Sequence, residues 1–304
     1  DASQLGSYFV EKVANTVSEI GIIPAAWSDG LSHANLENLP PKIQSNAWET
    51  LYSGGHTNVH KMINQEWDVV LSTPDVLYFD FPYEADPIEP GYYWGSRNTD
   101  TYQVFQFMPN NLPVHAEIWK NNFGHDYQAP AKVDIQDNRK ILGIQAQLWG
   151  ETVRSNAQAN YMLFPRLLAV AERAWHNPKW AENYKQGVNY ASNTTHFDKS
   201  QSQHMKADWL GFSHVLSTKA MPQLVKEGIE PRVPLPGATT IANKLHLLSA
   251  YDGLILEFKK QGQDWQAYQH PITVQDQSSV RIRAIIPHTQ ISSREQSVDI
   301  AKQL

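Results

Sequence analysis

The sequence predicts an α/β domain built on a parallel sheet, followed by a small all-β module. Three observations point there. Short apolar runs alternate with helix-period segments through the first part of the 304 residues. Three of those runs end in tryptophan followed within two residues by an acid: IIPAAWSDG (22–30), IQSNAWET (43–50) and GIQAQLWGET (143–152). Beyond EGIEPRVPLPG (227–237), with its three prolines and two glycines, short alternating strands take over. The expected domains are therefore 1–228 and 229–304.

Each element follows from its pattern. Leu5, Phe9, Val13, Val17 and Ile20 keep helical spacing, so residues 3–20 are expected as a helix packed on one face. Residues 22–27 follow as a short buried strand. A helix is expected over 56–66, between IQSNAW and DVVLST. DVLYFD (75–80) comes next, then a Pro- and Asn-rich excursion over 81–140. A connection of that length is far above the usual loop, and such loops commonly carry function. The strand opening at Gly143 follows, and residues 155–175 (SNAQANYMLFPRLLAVAERAW) predict a strongly apolar helix. In the second module KLHLLSA, LILEFKK, DWQAY, SVRIRAII and SREQSVDI are the expected strands.

Bulk properties narrow the function. A net charge of −6 and the lack of a basic run argue against a nucleic-acid partner. No apolar run approaches the ~20 residues of a membrane span. With no cysteine there are no disulfides, thiolate metal sites or thiol nucleophiles. His56 and His60 stand four apart, but no HExxH surrounds them, so they are expected as surface or core histidines rather than zinc ligands. GxSxG, Walker and GxGxxG motifs are absent, and no cofactor or metal is expected. Asn193-Thr194-Thr195 is a glycosylation sequon by form only.

Ten tryptophans in 304 residues are a high share. One tryptophan at a strand end is most often core. Trp27, Trp48 and Trp149 stand at three equivalent strand ends, and in a parallel α/β sheet those ends converge on one mouth. A ring of indoles suits the apolar face of a pyranose or an acetamide methyl. Asp80 and Glu151, with Asp29 and Glu49 as weaker relatives, could accept pairs of hydroxyl hydrogen bonds, or could equally be caps and salt bridges. Tyr78 shares a face with Asp80 if residues 75–80 are extended, which would place a phenol to donate to a carbonyl oxygen. PGYYWGSR (90–97) adds three aromatics from the excursion, as a loop anchor or a further pocket wall.

Together, AAWSDG, NAWETLYSGG, STPDVLYFDFPYEADPIEPGYYWG, GIQAQLWGETVRS and YMLFPRLLAVAERAWH resemble glycoside hydrolase family 20, the β-N-acetylhexosaminidases, and most closely its bacterial chitobiase branch. The segment after 229 is similar to the small immunoglobulin-like domain that ends chitobiases. The resemblance implies the second half of a (β/α)8 TIM barrel, strands five to eight, with the β module behind it. It implies that Trp27, Trp48 and Trp149 enclose an N-acetyl group, that Tyr78 donates to the acetamide oxygen, that Asp80 and Glu151 hold sugar hydroxyls, and that Trp94 flanks the subsite. The implied chemistry is retaining hydrolysis in which the substrate's own acetamide attacks the anomeric carbon, an exception to the two-carboxylate scheme.

The family also uses an adjacent Asp-Glu pair at the end of strand four, and no Asp-Glu dipeptide occurs here. The chain is therefore expected to be the C-terminal part of a chitobiase-like enzyme, inactive alone, with the N-terminal half as its partner. Its substrate is expected to be a chain ending in N-acetylglucosamine, and its location a bacterial periplasm, outer membrane or medium. Two other readings stay open: a non-catalytic carbohydrate-binding protein, and a different barrel enzyme using Asp29 with Glu49 or Glu151. The detailed match over residues 78–94 argues against the second.

Overall fold

A computed structural model describes residues 2–119, 125, 133–136, 141–190, 194–275 and 278–300. Asn193 of the sequon lies outside them. The chain divides into two compact units, 1–152 with 166–203, and 153–165 with 204–304.

The first unit is built on a four-stranded parallel sheet in the order β1 (Ala25–Trp27), β2 (Gln44–Ala47), β3 (Asp68–Leu71) and β4 (Gly143–Ile144). Helix α1 (Ala2–Glu19) precedes β1, the short α2 (Ser28–Leu31) follows it, and α3 (Gly55–Asn64) crosses from β2 to β3. Buried residues alternate along β2 and β3, as the pleat requires: Ser45 and Ala47, then Val69 and Leu71. His56 and His60 are buried on α3, with ring centroids 5.9 Å apart. Among the described residues no cluster of three or more His, Cys, Asp or Glu side chains could hold a metal ion. No described helix is long and apolar enough to cross a membrane.

Four expectations need correction. The apolar stripe of α1 is not packed: Leu5 and Phe9 are 69% and 65% exposed, and Val13 and Ile20 are exposed too. Residues 22–27 are not a buried strand either. Only Ala25–Trp27 pair, Ile22 and Ile23 are exposed, and β1 forms the sheet's edge. The cause is shared, because among the described residues no strand lies beyond β1. Third, residues 75–80 are not one extended run. Pro74 opens a helical turn, α4 (Pro74–Leu77), since its fixed φ suits a first helical position. Extended backbone resumes at Tyr78, which bridges in parallel to Gln147. Fourth, residues 155–175 form two helices, α7 (Asn156–Leu163) and α8 (Arg166–Trp175), because Pro165 has no N–H to continue the ladder.

The 81–140 excursion holds α5 (Thr101–Phe105) and α6 (Leu112–Ile118). Asp100 and Gln103 form a reciprocal capping box on α5, which fixes where the loop turns helical.

The second unit carries α7, most of α9 (Lys199–Val215), a π-helical turn over Leu216–Ala220, and α10 (Met221–Lys226). The sequence pattern had not singled out the last three. Its β sandwich pairs the sheet β5 (Gly237–Ile241), β6 (Lys244–Leu248), β9 (Ile272–Thr273) with a sheet ordered β11 (Gln296–Asp299), β10 (Ser279–Ile285), β7 (Ile255–Lys260), β8 (Gln266–Ala267). Leu245, Leu247, Phe258, Val280 and Ile282 alternate inward to make its core. Each such side chain contributes roughly 1.5–3 kcal/mol when fully buried. Across the outer face Arg283 opposes Glu257, bonds its carboxylate at 2.7 and 2.8 Å, and lies over the Trp265 ring.

Candidate active site

The carboxyl ends of the four strands deliver side chains to one cavity of about 630 Å³. Trp27 is the last residue of β1, Trp48 follows β2 at once, and Tyr78 and Asp80 follow β3 after the α4 turn. Trp149 and Glu151 lie beyond β4, and Tyr92 and Trp94 come from the excursion. The wall thus holds Trp27, Trp48, Tyr78, Asp80, Trp94, Trp149 and Glu151 together, with Asp29 and Tyr92 added. Glu49 lies outside that wall, where its carboxylate accepts a 2.6 Å bond from the Asn58 amide.

The aromatic rings brace one another. Trp27 and Trp149 sit 5.8 Å apart, and Trp48 meets Trp94 edge-on at 6.3 Å. Tyr78 is the hub, 5.6 Å from Trp94, 6.2 Å from Trp149 and stacked on Phe81 at 6.4 Å. Such offset and T-shaped pairs are the favoured arrangements of quadrupolar rings. The Trp48 indole N–H donates to Asp29 Oδ1 at 2.9 Å, which fixes the ring's rotation.

Tyr78 and Asp80 are only 4% and 3% exposed, so their chemistry is set by burial. Burial pushes the Tyr78 phenol up to about 12, against an indole hydrogen bond from Trp149 and with the Asp80 and Asp29 charges adding to the rise. The phenol therefore stays protonated and keeps its own hydrogen to donate. Burial also raises the Asp80 carboxyl above its ordinary value; backbone N–H groups and the Arg166 charge pull it down, and Glu151 pushes it up. Its Oδ1 is buried without a hydrogen-bond partner.

Three supports escaped the sequence reading. Gly91 has φ +144°, and a Cβ there would stand 2.5 Å from Pro82 N and 2.7 Å from Asp80 O. Only glycine lets the 90–95 loop lie against the 80–82 backbone, where Tyr92 N–H bonds Asp80 O at 2.9 Å and Trp94 reaches Phe81 at 5.2 Å. Asp75 is buried on α4 and accepts the Leu51 N–H at 2.6 Å, holding the loop after Trp48. Burial pushes its carboxyl up to about 7. Arg166, at the start of α8, is fully buried and binds main-chain carbonyls around Tyr78 and Asp80. The PGYYWG cluster was a visible signal for Tyr92; nothing in a lone sequence marks Asp75 or Arg166, whose partners are backbone atoms.

The family model described as glycosyl hydrolase family 20, catalytic domain, matches residues 1–178, and that of the chitobiase/beta-hexosaminidase C-terminal domain matches 220–295. The chain is 36% identical over 94% of its length to a beta-hexosaminidase of Vibrio vulnificus, and 36% identical over 98% to the N,N'-diacetylchitobiase of Vibrio harveyi. It is 43% identical over 71% of its length to beta-hexosaminidase B of Pseudoalteromonas piscicida. It spans 34%, 33% and 28% of those relatives' own lengths, about one third. With the first of these models covering more than half of the residues, the chain belongs to glycoside hydrolase family 20.

Proposed function

We propose that this chain supplies the acetamide pocket of an exo-acting β-N-acetylhexosaminidase that removes terminal N-acetylglucosamine from chitobiose and chitooligosaccharides. One observation carries the reading: Trp27, Trp48, Trp94 and Trp149 close on a single cavity with Tyr78 and Asp80 buried side by side in its wall. The indoles confine the acetamide so that its oxygen faces the anomeric carbon, a positioning effect that lowers the entropic part of the barrier. The Tyr78 hydroxyl donates to that oxygen, and its high pKa keeps it a donor throughout the working pH range. The acetamide oxygen forms the bond to C1 as the glycosidic bond breaks, giving an oxazolinium ion that water then opens with net retention. Asp80 and Glu151 hold ring hydroxyls.

In this reading the general acid that protonates the leaving oxygen comes from a segment outside these 304 residues, and β1–β4 are strands five to eight of an eight-stranded barrel. The open β1 edge and the exposed Phe9, Ile22 and Ile23 that line a groove with Ala25 and Ala26 support that division, as does the greater length of the relatives.

The test is nitrophenol release from an aryl β-N-acetylglucosaminide by the chain alone and by the complete enzyme containing it. Turnover by the complete enzyme only is expected. Turnover by the chain alone would place the acid within these residues; none from the complete enzyme would remove the hexosaminidase reading.

A further inference from the structure

Arg166 has 0% exposure, on the first turn of α8. Its guanidinium donates to Phe79 O at 2.7 Å, Phe81 O at 2.8 Å and Thr99 O at 2.9 Å. It lies between two rings, 3.9 Å from the Tyr83 centroid and 4.6 Å from that of Phe79. The first two acceptors flank Asp80, and the first follows Tyr78, so the fork grips the backbone on either side of the two buried pocket groups. The third acceptor lies where the aromatic loop rejoins the core. A planar, five-donor cation suits a fork of carbonyls, and a lysine ammonium cannot span all three with the same stacking.

Resting on the functional reading above, we infer that Arg166 is a positioning residue of the pocket: it sets the backbone that presents Tyr78 and Asp80 to the cavity and stands as the counter-charge behind Asp80. The geometry carries the inference. The electrostatics agree with it, since burial and the facing Glu151 charge oppose ionisation of Asp80 and Arg166 favours it. Tyr78 is the other titratable wall group coupled to Asp80, and it stays neutral.

The experiment compares the complete wild-type enzyme with its Arg166→Gln and Arg166→Lys variants. Readouts are kcat and KM per folded molecule, the acid limb of kcat/KM, and the Asp80 carboxyl titration followed by carbon NMR, assigned with Asp80→Asn. Loss of the fork should lower kcat on the order of 100-fold in Arg166→Gln, the size of effect a misplacement of about 1 Å produces, with KM changing less. The acid limb and the Asp80 titration should both move to higher pH, and Arg166→Lys should return the titration while leaving kcat low. Folded variants with wild-type kcat and an unmoved Asp80 titration would overturn the inference, as would an Arg166→Lys chain that cannot fold, since the arginine would then serve only the core. An inactive wild-type enzyme would refute the hexosaminidase reading instead, and Arg166 would be judged on the NMR titration alone.

Discussion

Replacing Tyr78 with phenylalanine isolates one atom. The ring is 4% exposed and keeps its contacts with Phe81, Trp94 and Trp149, so no cavity opens and the pocket's apolar wall is preserved. What disappears is a hydroxyl that accepts from the Trp149 indole and has its own hydrogen left to donate. The structural cost is small, roughly 1 kcal/mol for one neutral hydrogen bond, because the part-exposed indole can turn to water. The catalytic cost is larger. The acetamide oxygen gives up electron density as it attacks, so the phenol acts by holding it in line with the anomeric carbon, and a misplacement of about 1 Å costs on the order of 10² in kcat, roughly 3 kcal/mol. The complete enzyme's kcat and KM on an aryl β-N-acetylglucosaminide measure it, with the melting temperature as the control for folding. A lowered kcat, a nearly unchanged KM and a melting temperature lower by no more than about 2–4 °C are expected. A Tyr78→Phe enzyme whose kcat stays within about threefold of wild type, ~0.6 kcal/mol, would falsify the role given to this phenol.

Asp80→Asn should weaken substrate capture by roughly 10- to 100-fold in kcat/KM, the value of a charge-assisted hydrogen bond, and should remove the acid limb that its raised carboxyl imposes; a retained limb would assign that limb elsewhere. Gly91→Ala should cost roughly 1–3 kcal/mol in stability, because its Cβ meets Pro82 N and Asp80 O. The displaced loop should also carry Trp94 off Tyr78, visible as a changed near-ultraviolet dichroism; an unchanged spectrum would refute the close approach. Asp75 titrates near 7 when folded and 3.8 as its reference, so the folded state binds its proton more tightly. Its contribution to stability is full below about pH 4 and is lost as pH rises through 7, by at most on the order of 4 kcal/mol. The stability of wild type relative to Asp75→Asn, measured by denaturant titration, should fall across that window; a difference flat with pH would contradict it. In the isolated chain, Phe9→Ser with Val13→Ser should reduce self-association in sedimentation, since both residues are exposed beside the open β1 edge. Unaltered association would move the sticky surface elsewhere.

Local pattern carried the sheet and the candidate wall a long way. The runs ending in Trp27, Trp48 and Trp149 are short, bounded by polar or turn residues and change chemistry at their ends, which a single sequence displays directly. The helices α1 and α3 and the core of the second module are legible for the same reason, as periodicity is a local property. Where a pattern misled, a non-local fact decided. The stripe of α1 is amphipathic whether or not anything covers it, and its exposure follows from β1 being an edge. The 155–175 segment is the exception, since its division at Pro165 follows from a local signal that the apolar pattern had outweighed.

The sequence by itself determined the alternation of strands and helices, the residue types at the strand ends, the switch to a β module after residue 227, and the family likeness. Tertiary structure decided what these share. It brought Tyr78 and Asp80 to one wall through a helical turn instead of a straight strand, and it left Glu49 outside. It also placed Gly91, Asp75 and Arg166 against the backbone around that wall. The physical reason is that each of those three acts on backbone atoms. A main-chain carbonyl or N–H is the same group in every residue, so no letter in the sequence marks which one a distant side chain will bind.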